Sequence, residues 1–164
     1  MPKNEGTSRP LRARRKRFVV DTSVLVSSVN SADEFHLPCY QWIRERIDEG
    51  ALFVVPGLAF FEFQAAQSSI YRARERSPVY RELRLHDGNA RLYPINRRFL
   101  ARVNELELYD RFSMLKGADL LFACIARVES LPLATRDTGF DQYSRDIEII
   151  NPEREWPNWR DSQR

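Results

Sequence analysis

Long hydrophobic runs are missing from this chain. The longest near-apolar stretches, residues 51–55, 58–63 and 120–126, fall well short of the roughly 18 to 20 residues that a membrane-spanning helix needs, so no transmembrane helix and no membrane partner are expected. No apolar stretch of signal-peptide type follows the first basic residues, because Asp21 interrupts the segment Phe18-Val19-Val20; a cytoplasmic location is the expectation. Cysteine and histidine are scarce. Cys39, Cys124, His36 and His86 have no Cys or His partner at metal-ligand spacing, which argues against a zinc centre or a disulfide framework. The cysteines read as small buried hydrophobes and the histidines as residues of surface loops.

What remains is ordinary in amount and uneven in placement. With 164 residues, 43% hydrophobic and 30% charged, the chain has the composition of one soluble globular domain with a sizeable core. The net charge of +3 hides an asymmetry: Lys3, Arg9, Arg12, Arg14, Arg15, Lys16 and Arg17 crowd the start beside Glu5 alone, and without them residues 18–164 hold 19 basic against 22 acidic side chains, a net −3. Residues 1–17, which include Pro2, Gly6, Ser8 and Pro10, read as a disordered basic arm. Such an arm suits phosphate backbones, and equally suits a solvated tail with no task. Residues 18–152 read as the folded domain and 153–164 as a C-terminal extension strapped on its surface.

Phe18-Val19-Val20 reads as a short buried strand ending at Asp21-Thr22-Ser23, which suits the start of a helix. Residues 39–49 have helical spacing, with Gly50 as the stop, and residues 51–55 form a second strand. After Pro56-Gly57, the stripe Ala59, Phe63, Ala66, Ile70 predicts a long helix, with Glu62 about 60° from its centre at the edge of the core. Residues 71–82 continue with many charges and a break at Ser77-Pro78. A third strand over 91–95 suits a sheet edge because of Pro94. Helices over 96–109 and 117–130 follow, then strands over 131–135 and 147–150 separated by a loop. Strands alternating with helices predict an α/β/α sandwich of three layers with a mostly parallel central sheet, in which ligands gather outside the carboxyl ends of the strands.

Four acids stand in settings where a lone carboxylate is costly: Asp21 after Phe18-Val19-Val20, Glu62 among Phe60, Phe61 and Phe63, Asp119 before the apolar run from Leu120, and Asp137 after Leu133-Ala134-Thr135-Arg136. Each has an innocent reading as well. Asp21 suits a helix cap, Asp119 the positive end of a helix dipole, Asp137 a turn, and Glu62 a helix surface. Taken together, carboxylates that share one crevice need a cation between them. Oxygen-only ligation suits magnesium or manganese, and such ions suit phosphate-bearing substrates.

The same segments, Phe18-Val19-Val20-Asp21-Thr22-Ser23-Val24-Leu25, Glu62, Gly117-Ala118-Asp119-Leu120-Leu121-Phe122-Ala123 and Leu131-Pro132-Leu133-Ala134-Thr135-Arg136-Asp137, resemble the PIN-domain ribonucleases, most closely the VapC-type toxins of toxin–antitoxin pairs. The resemblance implies a three-layer α/β/α fold, Mg2+- or Mn2+-dependent endoribonuclease activity, homodimers and inhibition by a cognate antitoxin. It implies that Asp21, Glu62, Asp119 and Asp137 are the catalytic acids. Asp21 and Asp119 would ligate metal directly, and Glu62 and Asp137 would act through water or position the attacking hydroxide. Thr22, Ser23 and Thr135 would orient these carboxylates, and Asp141 is an extra acid of lower weight. The chain is longer than a compact toxin, which leaves open a PIN-type nuclease of RNA processing or decay. A non-catalytic RNA- or protein-binding module is a further alternative. A phosphatase-like hydrolase ranks last, because Asp21-Thr22-Ser23 lacks a second acid.

Overall fold

Val19 and Val20 are adjacent in a strand, so their side chains leave on opposite faces, and both are fully buried. A strand buried on both faces belongs to a sheet covered on both sides, the usual setting of parallel strands. The computed structural model describes residues 15–72 and 88–156, and there this expectation holds. Strands β1 (Arg17–Val20), β2 (Leu52–Pro56), β3 (Ala90–Tyr93), β4 (Leu133–Ala134) and β5 (Ile149–Ile150) form one sheet in the order β3-β2-β1-β4-β5. Every pairing is parallel, which tightens "mostly parallel" to wholly parallel.

Seven helices accompany the strands among the described residues: α1 (Thr22–Val29), α2 (His36–Asp48), α3 (Gly57–Arg72), α4 (Arg97–Glu105), α5 (Leu108–Arg111), α6 (Gly117–Glu129) and α7 (Pro152–Glu155). Helix α1 packs on α2 and α3, and α2 on α7; α4 packs on α5 and α6, and α6 on β1. Phe53, Phe63, Phe112, Phe122 and Phe140 are fully buried within this frame. No helix among the described residues is long and apolar enough to cross a membrane.

Several boundaries differ from the sequence expectation for identifiable reasons. The helix expected from residue 39 begins at His36 and takes Pro38 into its first turn, where proline lacks only a hydrogen bond that the position does not make. His36 is therefore buried instead of lying in a surface loop, and its Nδ1 is 2.9 Å from the Ser27 carbonyl oxygen. The helix expected over 96–109 is two helices, because Glu107 turns left-handed at φ 52° between α4 and α5. The last two strands shrink to two residues each. The loop between them holds a 3-10 helix, Thr138–Tyr143, that seats Phe140 in the core. As expected, β3 is an edge strand, with Pro94 just past its end. The charged stretch with its break at Ser77-Pro78, His86, most of the basic arm and the end of the C-terminal extension lie outside the described residues.

Candidate active site

The sheet order reverses beside β1. From β1 the chain builds outward through β2 to β3, then returns to lay β4 on the other side of β1 and continue to β5. At such a reversal the loops leaving the two adjacent strand ends diverge and open a crevice. Asp21 is the residue immediately after β1, and its backbone N–H donates to the Ala134 carbonyl of β4 at 2.9 Å. Thr135, Arg136 and Asp137 continue from β4 on the same side.

Asp21 is 6% exposed and firmly held. Its Oδ2 accepts from the hydroxyls of Ser23 and Thr135, each at 2.7 Å, and its Oδ1 accepts from the Ser23 N–H at 3.3 Å. It caps α1, as the modest reading of the sequence has it. Thr135 is 1% exposed, and its Oγ1 also accepts from the Asp137 N–H at 3.0 Å. One hydroxyl thus links two acids. Asp137 caps the 3-10 helix with Oδ1, which accepts from the Gly139 N–H at 2.7 Å. Glu62, exposed on α3, accepts at Oε2 from the Thr22 hydroxyl at 2.7 Å. Asp137 Oδ2 and Glu62 Oε1 meet no hydrogen-bond donor among the described residues.

Asp119 lies in the first turn of α6. Burial pushes its carboxyl above the ordinary value, and the negative charges of Asp21, Asp137 and Glu62, in that order, push it further. Four acids far apart in sequence therefore share one neighbourhood. No ion pair among the described residues involves any of them. No three Asp, Glu, His or Cys side chains among the described residues stand close enough to hold a metal ion as they are. In donor type, oxygen only, and in unbalanced charge the set fits a hard divalent cation.

Asp141 is differently occupied. Arg154 grips it at both oxygens, at 3.0 and 2.6 Å, and holds its carboxyl below the ordinary range. That pair ties the 3-10 helix to α7. Cys39 and Cys124 are buried and unpaired, with thiols pushed up by burial to about 12 and about 11.

Arg136 was not singled out by the sequence. It sits between Thr135 and Asp137 and points the other way, donating to the Ser27 hydroxyl, lying 3.3 Å from Asp33 Oδ2, and covering the Phe35 ring at 3.9 Å. It braces the segment that carries Thr135 and Asp137 against the turn between α1 and α2. Strand alternation was the available signal: neighbours of a residue that faces the crevice face away from it.

Comparisons with known proteins agree with this fold. The fold is similar to that of a chain in the crystal structure of VapBC2 from Rickettsia felis bound to a DNA fragment from their promoter, with a TM-score of 0.53, 15% identity, and coverage of 82% of this chain and 98% of that one. It is similar to a chain of FitAcB from Neisseria gonorrhoeae, with a TM-score of 0.51, 20% identity, and coverage of 82% and 97%. A chain of FitAB bound to an IR36 DNA fragment matches with a TM-score of 0.53, 20% identity, and coverage of 82% and 94%. No curated protein sequence matches the chain. The family model for the PIN domain matches residues 18–146. With that match over most of its length, and with its acids gathered at the reversal of an all-parallel sheet, the chain belongs to the PIN domain family, a family of nucleases.

Proposed function

We propose that this PIN domain is an endoribonuclease that hydrolyses RNA phosphodiester bonds with Mg2+ or Mn2+, and that it is the toxin of a type II toxin–antitoxin pair. The observation that carries the catalytic half is Asp119: partly buried, repelled by three other carboxylates and without an ion-pair partner among the described residues. Asp21 and Asp119 would hold the cation directly, with Glu62 and Asp137 acting through water. When bound, the cation supplies neutralising charge to the phosphodiester and lowers the pKa of a bound water.

The chain's own groups divide the remaining work. Ser23 and Thr135 fix Asp21 in one rotamer. Asp137 Oδ2 and Glu62 Oε1 lack hydrogen-bond donors among the described residues and can accept a proton from the attacking water. In-line attack forms the new phosphorus–oxygen bond as the bond to the leaving ribose oxygen breaks.

The toxin assignment draws on the VapBC2 and FitAB complexes whose chains share this fold. A cognate antitoxin and a homodimer are the partners this reading implies. Leu58 and Phe61 are exposed on α3 beside Glu62, at 46% and 74%. An antitoxin segment with an apolar face and a cationic group would cover both that face and the acids.

The test is cleavage of tRNA, ribosomal RNA fragments and messenger RNA by the purified protein with Mg2+, Mn2+ or chelator, alongside Asp21→Asn. Metal-dependent cuts that vanish in the variant are expected, together with a metal-induced rise in melting temperature that the variant lacks. Equal cutting by both proteins would refute the assignment.

A further inference from the structure

Away from the acids, a cleft of about 430 Å3 opens between the sheet and helices α4 and α6, lined by Arg17, Arg91, Arg98 and Arg102 together with Tyr93 and Glu129. Its acid is already engaged. Glu129 Oε1 accepts from the Tyr93 hydroxyl at 2.9 Å, and Glu129 Oε2 lies 3.9 Å from Arg17. Burial and that hydrogen bond push the Tyr93 hydroxyl up to about 12, so it stays a neutral donor. Arg102 pairs with Glu105 at 2.5 Å. Arg91 and Arg98, both exposed, have no carboxylate partner among the described residues.

Two further features concentrate positive charge here. Residues 88–104 contain four arginines and no Asp or Glu. The basic run at the start of the chain ends in Arg17 itself, and Arg15 Nη2 donates to the Gly88 carbonyl just before β3 at 2.9 Å. The domain from Phe18 onward has net negative charge, so this is a local departure from the average. Arg17 opens β1 and Glu129 ends α6, so the cleft lies toward the opposite end of the sheet from Asp21 and Asp119; Asp119 and Glu129 are roughly 15 Å apart along the helix, a span of a few nucleotides.

A single-stranded RNA carries a negative charge at every phosphate, and it must approach a crevice of four carboxylates. A bound cation offsets the charge at the phosphate being cut and leaves the flanking phosphates facing acids. We infer that the Arg91/Arg98 cleft binds the RNA backbone flanking the scissile bond, through guanidinium contacts to phosphate oxygens. Phosphate is favoured over an acidic peptide because the substrate already proposed for this domain brings phosphates to this distance from the acids; to that extent the inference rests on the RNA-nuclease reading. Arginine forks suit phosphate oxygens bidentately. Contacts of this kind position the strand without reading its sequence.

The test is binding of a short mixed-sequence single-stranded RNA to the full chain in chelator across a salt series. Wild type is compared with Arg91→Ala/Arg98→Ala, with the charge-preserving Arg91→Lys/Arg98→Lys, and with Arg44→Ala on α2. At about 0.7 released counterions per phosphate, the double alanine variant is expected to reduce the log–log salt slope by about 1.4 and to weaken binding about 25-fold at 0.1 M salt. The lysine variant should keep most of the slope, and Arg44→Ala should change it little. In cleavage assays the alanine variant should raise KM with kcat held. An unchanged slope, an equal effect from Arg44→Ala, or tighter capture of a poly-glutamate peptide than of RNA at this cleft would overturn the inference. Because binding is read in chelator, the two readings fail separately. Arginine-dependent binding without cleavage under any metal would sink the nuclease assignment alone, and cleavage with wild-type binding in the variant would sink the cleft alone.

Discussion

Thr135→Val removes one oxygen and almost no volume, and the structure says where the loss falls. The Thr135 hydroxyl donates to Asp21 Oδ2 at 2.7 Å and accepts from the Asp137 N–H at 3.0 Å, at a site 1% exposed. Valine keeps the β-branched shape and leaves a buried carboxylate with one donor fewer and a backbone N–H without its acceptor. A hydrogen bond to a charged group contributes about 1.5–3 kcal/mol, and an orphaned buried polar group costs about 1–3 kcal/mol. Ser23 still donates to the same Oδ2, so the lower part of the combined range applies, about 2.5–4 kcal/mol. For a chain of this size each kcal/mol moves the melting temperature by about 2–4 °C. A fall of roughly 5–15 °C is therefore expected by calorimetry in chelator, with Thr135→Ser recovering most of it. Metal-dependent cleavage should fall with Thr135→Val even below its melting temperature, because Asp21 loses its fixed rotamer. If Thr135→Val melts with wild type, the hydroxyl does not hold the acids and the reasoning fails.

Asp119 offers a prediction with a definite sign. Its folded-state pKa is raised above the ordinary 3.8, so the unfolded state sheds its proton first and stability declines as pH rises from about that value through the folded pKa. In chelator, Asp119→Asn should be more stable than wild type at neutral pH and should have a flatter pH profile, as melting curves across that window would read; with Mg2+ at about 100 times its Kd, wild type should gain about 2.7 kcal/mol and the variant much less. Opposite ordering in chelator would show that Asp119 is not repelled by its neighbours. Arg136→Ala loses the Asp33 pair and the Phe35 contact; since the pair is only partly buried, denaturant unfolding should show a loss of about 2 kcal/mol, and a loss below about 0.5 kcal/mol would remove its bracing role. Cys39 and Cys124, with thiols near 12 and 11, should resist iodoacetamide at mildly alkaline pH in the folded protein and react once it is unfolded; mass spectrometry showing rapid native labelling would contradict their burial.

Much of the fold was legible because its signals are local. Apolar runs marked the strands at Phe18 and Ala51, Pro56-Gly57 marked the start of α3, and Pro94 marked β3 as an edge. What failed locally was what a left-handed residue or a distant partner controls. Glu107 splits one apolar stripe into α4 and α5 at a position with no glycine to announce it. His36 is buried because Ser27 offers it a carbonyl oxygen nine residues away, which no composition rule supplies. Asp141 looked like a spare acid, yet Arg154 occupies both of its oxygens.

The sequence by itself determined which carboxylates are awkward and where each sits relative to its own strand or helix, because desolvation by apolar neighbours and the ends of elements are properties of a few consecutive residues. Only the tertiary structure decided that Asp21, Glu62 and Asp137 come near enough to Asp119 to repel it, that Arg136 turns toward Ser27, Asp33 and Phe35, and that arginines from β1, β3 and α4 line a separate cleft. The physical reason is the order of strands in the sheet: the return of β4 to the side of β1 opens the crevice, and that choice is made by packing over the whole core and not by any residue in the crevice.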